Sequence, residues 1–321
     1  MTVAYVFPGQ GSQTVGMLKD VYAASERARE MLDAADRALG FSLSRLMFDG
    51  PEEVLRATEN AQPALFVAGA VLWTLYREAL AARGIEEAPM FVAGHSLGQY
   101  AALYAAGALA YEEGVRLVRR RGELMAASGG TGGMAAVLGA DAALIEAVLA
   151  EFPPALQAAG ERVELANDNA PGQLVLSGTE AGLRWAEAAL RERGVRRFVR
   201  LKVSGPFHSS LMAEAAAAYR SVLATVAFRA PAVPVVDNVT ADVLDAAAIA
   251  ERLAEQIMRP VRWTDSVRFM VARGVRRFVE FGPGGVLAGL IRRIAPEVRV
   301  DSAGDLKGLE RLLAERAPER G

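Results

Sequence analysis

The hydrophobic pattern alternates between short apolar runs and longer periodic segments. Val3 to Phe7 is an apolar run ending at Pro8-Gly9, and a second run leads into Gly94-His95-Ser96-Leu97-Gly98. Such short runs bounded by glycine read as buried strands. Between them, residues 17–39 read as one helix, with apolar or small positions at Met17, Val21, Ala24, Ala28, Met31, Leu32 and Ala35. Phe41 to Phe48 reads as a connecting segment closed by Asp49-Gly50-Pro51, and Glu52 to Ala57 as a short helix. Pro63 then sits in the first turn of a long helix from Ala64 to Ala82. Its near-continuous apolar character predicts burial against a sheet. Gln62, at the mouth of this helix, either lines a pocket or caps it. Two further helices follow the second run, at Tyr100–Ala108 and from Leu109 to Met125.

The texture changes at the glycine-rich break Ser128 to Gly133. After it come a strand at Met134–Leu138, a helix at Asp141–Leu149 and a strand at Val163–Ala166. A turn over Asn167–Gly172, a strand at Gln173–Ser177, a helix at Thr179–Arg193 and a strand at Val195–Val203 complete the segment. The order β-α-β-β-α-β is that of a ferredoxin-like unit. Beyond it, a strand at Ala232–Val236, helices at Ile249–Ile257 and Asp265–Ala272, and a late strand at Gly274–Phe281 resume the first texture. The expected fold is therefore α/β: a three-layer, α/β-hydrolase-like large domain from residues 1–129 and 199–321, with an inserted ferredoxin-like domain at 130–198.

Composition narrows the function classes. The chain has 321 residues, 52% hydrophobic and 23% charged, with a net charge of −2 and a pI near 5.9. That balance argues against a nucleic-acid surface. No run reaches membrane-span length, and the N-terminal residues lack the basic region of a secretion signal, so a cytoplasmic enzyme is expected. There is no cysteine, which removes thiol nucleophiles, disulfides and Cys-ligated metals.

Gly94-His95-Ser96-Leu97-Gly98, set between a strand and a helix, has the form of a nucleophile elbow. The following helix would aim backbone N–H groups at charge developing near the serine. Only two histidines exist, His95 and His208. The residue before an elbow serine points away from its hydroxyl, so His208 is the candidate base. Asp237, Asp265 or a backbone carbonyl could orient its ring. The glycines around Gln10 either make an ordinary turn or let backbone N–H groups serve as a second oxyanion donor. Arg116, Arg119, Arg120 and Arg121 cannot all face solvent on one helix, and an inward guanidinium would suit a carboxylate.

Five segments together resemble the malonyl-coenzyme A:acyl-carrier-protein transacylase family. They are Phe7 to Gln13, Gly94 to Gly98, the Arg121-Gly122 pair followed by Met134-Ala135-Ala136, Gly205 to His208, and Glu280 to Gly284. The resemblance implies a malonyl ester on Ser96, with His208 as base in both half-reactions. It implies transfer from malonyl-coenzyme A to the phosphopantetheine thiol of holo acyl carrier protein, supplying fatty-acid elongation. It further implies that Arg121 binds the malonyl carboxylate, that backbone N–H groups of Gln10 and Leu97 form the oxyanion hole, and that the Gln256 carbonyl supports the histidine. Phe207 is implied to favour malonyl over methylmalonyl. No cofactor, metal, nucleic acid or membrane is implied. Gln99 departs from the glutamate common in the family and is expected to bear little on the reaction class. The acidic carrier is expected to meet basic surface, with Arg116, Arg119, Arg120, Arg193, Arg196 and Arg197 as candidates.

Overall fold

The structure is a computed structural model that describes residues 2–130 and 132–316. The first half runs β1 (Val3–Phe7), α1 (Lys19–Ala24), α2 (Glu26–Leu39), α3 (Leu43–Asp49), α4 (Glu52–Arg56), α5 (Thr58–Ala82), β2 (Phe91–Gly94), α6 (Gly98–Ala105) and α7 (Tyr111–Ala127). The middle segment runs β3 (Gly132–Leu138), α8 (Ala142–Ala150), α9 (Pro154–Ala158), β4 (Val163–Ala170), β5 (Gln173–Thr179), α10 (Glu180–Glu192) and β6 (Arg197–Arg200). The chain continues through α11 (Ala213–Leu223), β7 (Val235–Val236), α12 (Ile249–Gln256), β8 (Val261–Arg262), α13 (Trp263–Ala272), β9 (Arg277–Phe281), α14 (Val286–Ile294), β10 (Arg299–Ala303) and α15 (Leu306–Ala314).

These elements build an α/β fold around two sheets. The first is wholly parallel, in the order β10-β9-β1-β2-β7. Strand pleating sends alternate residues to opposite faces. Val3, Tyr5 and Phe7 join the core made with α5, α6 and α7, while Ala4 and Val6 join the core made with α13 and α14. Both faces are covered, which is why β1 is apolar at every position. The second sheet has the order β6-β3-β5-β4-β8, antiparallel except where β4 meets β8. Its Leu174 and Leu176 pack with α8 and α10. Met134 and Val175 turn the other way, into the larger core. β8 belongs to the chain after the middle segment, so the second sheet takes a strand from outside that segment.

Several elements differ from the sequence expectation for identifiable reasons. The helix expected over 17–39 breaks at Ser25, whose extended backbone and side chain cap α2 by accepting from Ala28 N. The segment expected as a connection is α3, capped by Ser42 and held by Asp36, which accepts from Ser44 N at 2.9 Å. The long helix begins six residues early, leaving Pro63 inside it. Proline there cannot donate to the carbonyl of Glu59, and Arg119 Nη1 donates to that oxygen instead at 3.0 Å. By length and composition this helix could cross a membrane, but most of it is buried within the protein. The turn expected at 167–172 is narrower, because β4 runs on to Ala170 through two register shifts. β6 and β7 are shorter than expected, and Gly132 and Gly133 extend β3 rather than forming a break. Thr131, in the middle of that expected hinge, lies outside the described residues.

At the elbow the backbone segments approach too closely for any side chain. A Cβ on Gly98 would overlap the backbone carbonyl of Phe7, and one on Gly94 would overlap the backbone of Gly98. Only glycine lets α6 start this close to β1 and β2. Gly98→Ala is therefore expected to destabilise the fold by about 3 kcal/mol, the upper end of overpacking costs. A urea midpoint equal to that of the parent protein would contradict this.

Candidate active site

Ser96 stands two residues past the end of β2 and has φ of 52°, a left-handed conformation unusual for serine. The strain is held from both sides. Ser96 N donates to Asn238 Oδ1 at 2.7 Å, and Asn238 Nδ2 donates to the carbonyl of Gly94 at 2.8 Å. Asn238 thus clamps the turn that projects the serine hydroxyl. It stands just past β7, and nothing in the local sequence pattern marks it.

His208 arrives from the loop after β6, also at positive φ, 59°. Its Nε2 lies 2.9 Å from Ser96 Oγ. Its Nδ1 faces two carbonyl oxygens, of Gln256 at 2.8 Å and Arg259 at 3.2 Å. Carbonyls only accept, so Nδ1 carries the proton and Nε2 turns its lone pair to the serine. The third member is a backbone carbonyl and neither of the two acids considered. Asp265 pairs with Arg262, and Asp237 bonds Gln99 and Thr240. Burial, reinforced by the nearby Arg121 charge, lowers the His208 pKa to about 3.

Arg121 is 1% exposed. Its Nη1 donates to Gln62 Oε1 at 2.8 Å, and its Nη2 to Gln256 Oε1 at 3.1 Å and Ser96 Oγ at 3.2 Å. Its Nε is buried without a partner among the described residues. Among the described residues, every group bonded to this guanidinium is neutral. Gln62 neither caps α5 nor lines the cavity; it holds the arginine. The sequence offers only its position at the helix mouth.

Ser96, Arg121 and His208 share a cavity of about 530 Å³ with Gln10, Leu97, His95, Phe207, Met125 and Met134. Gln10 and Leu97 flank the serine, and among the described residues neither backbone N–H is bonded within the protein. Gln10 Nε2 donates to Thr58 Oγ1 at 3.1 Å, fixing the loop to the start of α5. His95 turns aside to Asn169 Oδ1 at 2.7 Å, on β4. Gln256 supplies both its carbonyl and its side chain. Gln99, where the family commonly has glutamate, is wholly buried and bonds Asp237 and Asn238.

Four of the six expected docking arginines are less available than their positions suggest, while Arg196 and Arg197 are exposed and carry no ion pair among the described residues. Arg116, Arg119 and Arg120 pair with glutamates of their own helix, and Arg193 pairs with Glu151. Besides Arg121 and the two histidines, the basic residues at the cavity are Arg56, Arg200 and Lys202, of which Arg56 pairs with Glu52 and Arg200 with Glu180. Among the described residues no cluster of three His, Asp or Glu side chains is placed to hold a metal ion.

This geometry is that of a serine acyltransferase domain. A family model described as acyl transferase domain matches residues 4–304. The malonyl CoA-acyl carrier protein transacylase of Bacillus subtilis (strain 168) is 42% identical over 96% of this chain and 95% of its own. The transacylase of the same name from Escherichia coli (strain K12) is 43% identical over 91% and 92%. A crystal structure of malonyl-CoA:acyl carrier protein transacylase from Xanthomonas oryzae pv. oryzae superposes with a TM-score of 0.90 at 43% identity, covering 98% of this chain and 99% of the other. The chain belongs to the malonyl-CoA:acyl-carrier-protein transacylase family.

The two histidines give a clean titration test. Burial lowers the pKa of His95 as well. Neither ring is expected to show an NMR titration step near the ordinary imidazole value of about 6.5. Because the unfolded chain takes up protons there and the folded chain does not, stability falls as pH drops below about 6.5. A His208 midpoint between about 6 and 7 would contradict the buried, neutral base.

Proposed function

We propose that the protein carries malonyl groups from malonyl-coenzyme A to the phosphopantetheine thiol of acyl carrier protein through an ester on Ser96. The observation that carries this reading is the buried guanidinium of Arg121, bonded among the described residues only to neutral partners, with Nη2 3.2 Å from Ser96 Oγ. A buried charge without a counter-charge costs several kcal/mol. A substrate bearing its own carboxylate supplies the missing anion, and the unpartnered Nε leaves a second donor for it. An orienting carbonyl on His208, in place of an acid, adds no negative charge to repel that carboxylate.

In the first half-reaction Ser96 Oγ attacks the thioester carbonyl and passes its proton to His208 Nε2. The tetrahedral oxyanion sits against the backbone N–H groups of Gln10 and Leu97. Collapse breaks the carbon–sulfur bond, and the departing thiolate takes the proton from His208. In the second half-reaction the carrier thiol gives its proton to the same nitrogen and attacks the ester, and Ser96 recovers its hydrogen. Phe207, buried in the cavity wall, narrows the space beside the α-carbon against a branched acyl group. Lys202, at the cavity and without an ion pair among the described residues, suits an acidic carrier.

The same proposal covers the domain plan. Residues 1–129 and 199–321 form an α/β-hydrolase-like domain in three layers, and 130–198 a ferredoxin-like insertion. Supporting the second label, β6-β3-β5-β4 follows the order fourth, first, third, second within the insertion. A cytoplasmic location fits a protein that must meet both coenzyme A thioesters and a carrier.

Arg121→Ala is expected to reduce malonyl transfer to holo carrier by about a hundredfold, as for loss of a buried charge partner, while acetyl transfer is spared or improved. Equal losses with both acyl groups would make the arginine structural. Release of free malonate by the parent protein in place of malonyl-carrier would contradict transfer itself.

A further inference from the structure

Behind Ser96 lies a closed cluster of four polar side chains: Gln99, Asp237, Asn238 and Gln256. All four are fully buried, and none lines the cavity. Each donor and acceptor in it has a defined partner. Gln99 Oε1 accepts from Asn238 N at 3.1 Å and from Gln256 Nε2 at 2.9 Å. Its amide nitrogen therefore faces outward from that pair and donates to Asp237 Oδ1 at 3.1 Å. Asp237 Oδ2 accepts from Thr240 N at 3.0 Å and Thr240 Oγ1 at 3.1 Å.

The cluster reaches the reacting groups through two members. Gln256 Nε2 also donates to the carbonyl of Ser96 at 3.2 Å, and Gln256 Oε1 accepts from Arg121. Asn238 clamps Gly94 and Ser96. We infer that Gln99 and Asp237 act as one positioning pair, which sets Gln256 and Asn238 and through them the elbow and Arg121. The inference rests on the reading of Ser96 as the acylated nucleophile.

The bonding pattern dictates which residues can stand at the two positions. Position 99 must present an acceptor on one side and complement position 237 on the other. Position 237 must present an acceptor to Thr240. Glutamate at position 99 opposite Asp237 sets two carboxylate oxygens across a buried hydrogen-bond gap. Asparagine at position 237 opposite Gln99 sets two amide nitrogens together, or turns its nitrogen onto the Thr240 donors. With both changes, the carboxylate at position 99 accepts from Asn238 N, from Gln256 Nε2 and from the amide introduced at position 237. The oxygen of that amide still accepts from Thr240. Every bond is then restored, with the carboxylate moved from position 237 to position 99.

The test compares the parent protein with Gln99→Glu, Asp237→Asn and the double variant in malonyl transfer to holo carrier, with thermal unfolding of each. Each single change is expected to lower kcat of the folded protein by about tenfold or more as the elbow shifts, and to raise KM as Arg121 loses its place. The double variant is expected to recover to within about threefold of the parent. A purely structural role would lower the single variants' unfolding temperatures and leave their kcat unchanged, which would overturn the inference. So would a double variant no better than the poorer single. If a single variant does not fold, an active double supports the pair and an inactive one overturns it. A parent protein that transfers no malonyl group would instead sink the functional reading.

Discussion

The arrangement turns on one interaction that is incomplete within the protein, the buried guanidinium of Arg121. Three neutral oxygens hold it, from Gln62, Gln256 and Ser96. Neutral acceptors orient an arginine without cancelling its charge, so the site keeps a positive potential beside the nucleophile. The same charge helps hold His208 in its neutral form. On the proposed mechanism, substrate selection and the state of the base thus have a common source. An acid in the site would relieve the arginine, but it would raise the histidine pKa and compete with a carboxylate substrate.

The fold serves to keep this charge in place. α5 and α7 are packed side by side, carrying Gln62 and Arg121 toward each other. Gly122 follows Arg121 and lies against the backbone of Thr58 and Glu59, where a Cβ would have no room. One residue pair on α7 therefore brings the helices close and turns the arginine inward. Arg119 on the same helix completes the hydrogen bonding that Pro63 leaves open in α5. The second sheet closes the other wall, because β3 and β5 present Met134 and Val175 to the cavity. Ser96 and His208 are both held at positive φ by bonds to chain segments remote in sequence. Strain at a reacting residue persists only when its surroundings over-determine it.

Much of this is legible in the sequence where a local rule has one physical solution. Gly94 and Gly98 mark a turn that admits no Cβ, so the elbow can be read from spacing. The buried strands can be read from their uninterrupted apolar runs. With two histidines, and one pointing away, the base is a matter of elimination. The identity of the inward arginine comes only through family resemblance, since helical periodicity leaves four candidates. What stays hidden is long-range. Asn238 is 142 positions from the serine whose backbone it clamps, and Gln62 is 59 from its arginine. Single polar residues such as these leave no periodic trace. Helix limits depart from the local pattern where tertiary bonds replace local signals, as at Ser25 and Pro63. The glutamate partners of Arg116, Arg119 and Arg120, by contrast, stand three or four positions away on the same helix, a spacing visible in the sequence.

The central claim is that Arg121 awaits the carboxylate of an acyl group carried on Ser96. The most direct measurement is a crystal structure of the protein trapped after reaction with malonyl-coenzyme A. The expected result is an ester at Ser96 Oγ whose free carboxylate oxygens lie within hydrogen-bond distance of Arg121 Nε and Nη2. A carboxylate turned to solvent, or an acyl group on any other residue, would contradict the claim.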